Sequence, residues 1–109
     1  KNNVQYMISH KMRTKLASYF YNCKIKKWNT TSKILGCNFI FFQKYIESKF
    51  RPGMTWKNWG LYGWHLDHIK PIATFDLTKK SQLKECFHYK NLQPLWAHEN
   101  LTKNNRMIV

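Results

Sequence analysis

The chain has 109 residues, of which 19 are lysine or arginine and 5 are aspartate or glutamate, a formal charge of +14 with histidine neutral. Self-repulsion on that scale opposes a compact state unless a polyanion neutralises it, so nucleic acid is the first partner to expect, followed by an anionic membrane surface and then an acidic protein. The 43% apolar and 17% aromatic residues can build a core, which excludes a disordered basic tail, and the longest apolar run, Phe39 to Phe42, falls far short of the roughly 20 residues of a bilayer span.

The sequence opens at Lys1 without a signal peptide or an initiating methionine, as expected of a trimmed or excised piece. Cys23, Cys37 and Cys86 are odd in number and form no CxxC pair, so the expectation is free thiols acting as small hydrophobes in a reducing compartment, cytoplasmic or host-cell intracellular and not secreted. With no repeat, low-complexity tract or linker, residues 1–109 read as one folded unit with a helical basic region over about 1–53 and a second region over about 54–109.

In chain order, Met12, Leu16, Tyr19 and Phe20 share one face of a basic amphipathic helix predicted over Ser9 to Lys27. Thr30 to Ser32 offer a cap for a short helix ending at Gly36, and Asn38 caps a second helix from Phe39 to about Phe50. Arg51-Pro52-Gly53 stops it, and an aromatic-rich loop follows over residues 54–64. Trp64 to Ile69 reads as a strand, Ser81 to Tyr89 as a helical turn or two, Leu92 to Trp96 as a second strand and Ala97 to about Arg106 as a closing helix. The class is α+β.

Asp67 and His68 point to opposite faces of a strand, but at a strand end the turn at Pro71 can bring both near one site. A carboxylate beside an imidazole offers a hard oxygen ligand and a base that titrates near neutrality. Asn100, near the start of the closing helix, adds a second oxygen. Taken singly, Asn91 is a turn residue and Asn100 a helix-start residue, so the weight lies in the joint pattern. Alternation puts His65 on the face of Asp67, within reach of metal or phosphate, whereas His88 and His98 read as structural or solvent-facing. Trp56, Trp59, Trp64 and Trp96 can stack on unpaired bases, although core packing is the simpler role. Lys11, Arg13, Lys15, Lys24, Lys26 and Lys27 are candidates for sequence-independent phosphate contacts.

The run Trp64-His65-Leu66-Asp67-His68-Ile69-Lys70-Pro71, then Asn91-Leu92-Gln93-Pro94-Leu95, then Asn100 and Lys103, resembles the HNH endonuclease family over Trp64 to about Asn104. More loosely, Leu35-Gly36-Cys37, the Phe-rich helix and Gly53-Met54-Thr55-Trp56 look like the upstream region of phage- and large-virus-type members. The resemblance implies a ββα-metal module packed against the helical basic part. In it Asp67 and Asn100 would hold Mg2+, with Mn2+ as a substitute, His68 would be the general base, Asn91 would orient it, and Lys103 and Lys70 would contact phosphate. It implies double-stranded DNA as substrate, no membrane, and a homodimer if both strands are cut; RNA is a lesser alternative. A homing or virus-encoded nuclease is the expected role, against a binding module that kept the fold and lost cleavage.

Two departures from the family pattern matter. Trp96 and Glu99 stand where many members carry the second CxxC of a structural zinc, so no zinc is expected and burial must stabilise the module instead. Asn100 replaces a histidine, which favours a hard cation.

Overall fold

The computed structural model describes residues 3–22, 24, 26 and 29–104, with side chains for 4–22, 24, 26 and 29–102. Helix α1 runs Asn3–Asn22, starting before the expected Ser9 because Ile8 extends the stripe of Met12, Leu16 and Phe20, all four buried. It ends before Lys27, which lies outside the described residues; Lys24 has a left-handed φ of 58° that no helix continues through.

Helix α2, Thr31–Leu35, is capped by the Thr30 hydroxyl accepting from the Lys33 amide and closed by Gly36 at φ 82°. Helix α3, Phe39–Glu47, is capped by Asn38, whose Oδ1 accepts from the Phe41 amide at 2.8 Å. It stops at Ser48, short of the expected Phe50. The aromatic loop holds a 3-10 turn at Trp56–Asn58 that the sequence reading lacked: Thr55 accepts from the Lys57 and Asn58 amides while the Asn58 side chain accepts from the Thr55 amide.

Strands β1, Trp64–His68, and β2, Leu92–Trp96, pair antiparallel with Trp64 opposite Trp96, Asp67 opposite Gln93 and His68 opposite Leu92. The connection between them carries helix α4, Lys80–Phe87, flanked by 3-10 turns at Ile72–Thr74 and Tyr89–Asn91. Helix α5, Ala97–Asn104, leaves β2 directly, and its first amide donates to the Gly63 carbonyl at 2.8 Å, tying it to the turn before β1. The protein is thus α+β, with α5 packed on both strands. No described helix is long and apolar enough to cross a membrane.

The basic helical part shares one core with the strands and another with the connection between them. One cluster joins Ile8, Met12, Leu35, Phe42 and Ile46 to Trp59, Trp64, Leu66 and Leu92; a second joins Leu16, Phe20 and Ile34 to Phe75, Leu83 and Phe87. Cys86 is buried in the second, and burial, with Glu85 adding, pushes its thiol up to about 12. Trp64 is fully buried, with its ring 5.3 to 5.5 Å from those of Phe50, Trp56 and Trp59, and its indole N–H donates to the Thr55 carbonyl at 2.7 Å. Truncation to Trp64→Ala is expected to cost about 3–5 kcal/mol in urea unfolding, because cavity and lost hydrogen bond add; a loss below about 1 kcal/mol would contradict this placement.

Candidate metal and nucleic-acid site

Alternation along β1 separates its polar residues onto two faces. His65 and Asp67 share one, opposite Leu95 and Gln93 of β2. The Gln93 side-chain amide donates to Asp67 Oδ2 at 2.9 Å. His65 lies 3.2 Å through Nε2 from the Leu61 carbonyl, and a carbonyl only accepts, so Nε2 carries the proton and Nδ1 receives the Asn100 amide N–H at 2.9 Å. His65, Asp67 and Asn100 are all buried, Asp67 at 3% and Asn100 at 1% exposure. The β1–β2 ladder and α5 thereby assemble one polar layer from residues far apart in sequence.

Leu66 and His68 occupy the other face. The His68 ring meets Phe87 of α4 edge-on at 5.4 Å, is 8% exposed, and borders a small cavity lined also by Met12, Lys15 and Leu16 of α1. Within the strand, therefore, Asp67 and His68 diverge, with His68 at the end of β1. Asn91 acts next to that end. Its Oδ1 accepts from the Lys70 amide at 2.8 Å, its Nδ2 donates to the Lys70 and Cys86 carbonyls at 3.2 and 3.0 Å, and its carbonyl accepts from the Ile69 amide at 2.8 Å. The two residues after His68 are thus fixed to the end of α4.

The basic residues of α1 depart from a simple phosphate-facing row. Lys11 Nζ donates to the Trp59 carbonyl at 2.9 Å and sits 4.3 Å from the Trp59 ring centroid, with Lys15 at 5.6 Å from the same ring. Burial holds both ammonium groups below the usual lysine range, and at Lys15 the neighbouring Lys11 charge adds to it. Cation–π attraction and burial of the alkyl stems explain the turn inward. Arg13 lies over Phe39 at 5.2 Å. Lys24, Lys26 and Lys70 are exposed; Lys27 and the Lys103 side chain lie outside what is described.

Where zinc cysteines would stand, Trp96 packs on the first core cluster and Glu99 pairs with Arg51, whose hydrogen bond holds the Glu99 carboxyl below the usual range. Among the described residues no three His, Cys, Asp or Glu side chains group for a metal, so a cation on this layer would need the amide oxygen of Asn100. Gln93, which the sequence reading passed over, was detectable: pairing the two strands in register puts it across from Asp67.

No family model and no solved structure matches the chain. Two uncharacterized proteins of Acanthamoeba polyphaga mimivirus are similar to it, one 35% identical over 112 residues and the other 37% identical over 101 residues, covering 99% and 93% of this chain. The chain spans about half the length of these relatives, 48% and 43%.

Replacing Asn91 by alanine removes three side-chain hydrogen bonds and leaves the Lys70 amide and two carbonyls to find water. The expected loss in urea unfolding is about 2–4 kcal/mol, and a change within about 0.5 kcal/mol would show that Asn91 does not brace this loop.

Proposed function

We propose that the chain is a divalent-metal-dependent endonuclease module of the HNH type that hydrolyses phosphodiester bonds in double-stranded DNA. What supports it most is that Asp67 and Asn100, the two ligands the motif implies, belong to the buried polar layer built by β1, β2 and α5, with His65 hydrogen-bonded to Asn100.

The donor set suits a hard cation. Asp67 offers a carboxylate oxygen and Asn100 an amide oxygen, both hard donors for magnesium or manganese. A bound ion would supply Lewis-acid chemistry at a phosphate oxygen. Gln93 and His65 keep the two ligands oriented. The His68 imidazole takes the proton of the attacking water past the strand end, and Asn91 holds the backbone beyond it. Lys70 and the exposed lysines of the chain attract the backbone without reading sequence. One such site cuts one strand per event, so double-strand cutting would need a homodimer or a second encounter.

A second reading, a nucleic-acid-binding module without cleavage, draws on the burial of His68 against Phe87. A supercoiled-plasmid assay separates the two. The nuclease reading expects nicking by wild type with Mg2+ or Mn2+, none with chelator, and a rate at least about 100-fold lower in His68→Ala with DNA affinity retained. Salt-sensitive binding without cleavage would favour the binding module, and wild-type rates in His68→Ala would remove the base.

A further inference from the structure

Beyond the polar layer, an open cleft of about 480 Å³ lies beside the end of β1. Its basic lining is Lys70 from the loop after β1, Lys84 from α4 and Lys90 from the 3-10 turn before β2, against one carboxylate, Glu85. Phe75 forms an apolar wall, with Lys70 Nζ 4.8 Å from its ring. Three lysines from separate elements repel one another, so holding them around one cavity costs stability unless an anion enters.

The cleft is also held in shape. Asn91, part of its lining, ties the Lys70 main chain to the Cys86 carbonyl at the end of α4, the helix that carries Lys84. His88 forms a further wall: its Nδ1 accepts from the Lys90 amide at 3.1 Å, and its Nε2 lies so close to Gly36 that a Cβ there would stand 2.7 Å away. Burial, with the Lys90 charge adding, keeps the His88 imidazole below its usual range, which favours its neutral form.

We propose that the Lys70–Lys84–Lys90 cleft binds a backbone phosphate of the nucleic acid away from the scissile one, so that the strand runs off the end of β1 along α4. The inference rests on the nuclease reading for its ligand class but not on cleavage. The open shape and the one-sided positive charge suit a polymer backbone, and flexible ammonium groups suit a phosphate that is positioned rather than read.

The test is binding of a labelled DNA duplex in chelator, by fluorescence anisotropy over a range of salt, for wild type, Lys84→Gln/Lys90→Gln, and Lys44→Gln/Lys49→Gln, which removes the same charge on the side of α3. Each lost phosphate contact lowers the slope of log affinity against log salt by about 0.9. The cleft variant is expected to lose about 0.9 in slope and the α3 variant little. Circular dichroism confirms that both variants fold, since these lysines are exposed. Equal slopes in wild type and the cleft variant, or equal losses in both variants, would overturn the cleft while leaving metal-dependent nicking to stand or fall separately. Absence of salt-sensitive binding by wild type would overturn cleft and DNA reading together.

Discussion

A two-stranded antiparallel ladder is marginal alone in water, and here all five residues of β1 are buried, two of them histidines and one an aspartate. Everything else in the molecule answers that constraint. Helices α1 and α4 cover the Leu66 and His68 face with methionine, leucine and phenylalanine, while α5 covers the His65 and Asp67 face and meets it with an amide. The polar face tolerates burial because its groups find partners: Gln93 for Asp67, Leu61 and Asn100 for His65. Trp64 anchors the ladder at one end in its aromatic cluster, and Asn91 closes the other end.

Positive charge is handled in two ways. Part is turned onto aromatic rings, as with Lys11 and Lys15 on Trp59 and Arg13 on Phe39, where it helps attach α1 to the aromatic loop and to α3. Other described lysines stay exposed, and three of them, Lys70, Lys84 and Lys90, converge on the cleft at the end of β1. In a chain of +14, the inward-facing share of the charge contributes to packing instead of adding to surface repulsion. Arg51 with Glu99 ties the turn after α3 to α5.

Much of this was legible in the sequence because local chemistry decided it. Thr30 and Asn38 cap helices where their hydroxyl and amide chemistry says they should, Gly36 takes the left-handed turn, and Pro71 follows the end of β1, whereas Pro94, which reads as strand punctuation, lies inside β2 opposite Leu66. Alternation alone put His65 with Asp67. What escaped was decided by contacts between distant segments. No periodicity shows that Lys11 donates to the Trp59 carbonyl, and the Thr55–Asn58 capping box was hidden among tryptophans. The divergence of Asp67 and His68 was visible as strand geometry, but the edge-on packing of His68 on Phe87 was not, because Phe87 belongs to another helix.

The central claim is that the Asp67 and Asn100 face holds a divalent cation, and paramagnetic broadening by Mn2+ in a 15N-labelled sample locates such an ion directly. Substoichiometric Mn2+ should first erase the amide signals around His65, Asp67, Gln93 and Asn100, with recovery on chelation and no such focus in Asp67→Ala. Broadening centred elsewhere, or spread evenly over the surface in both proteins, would contradict it.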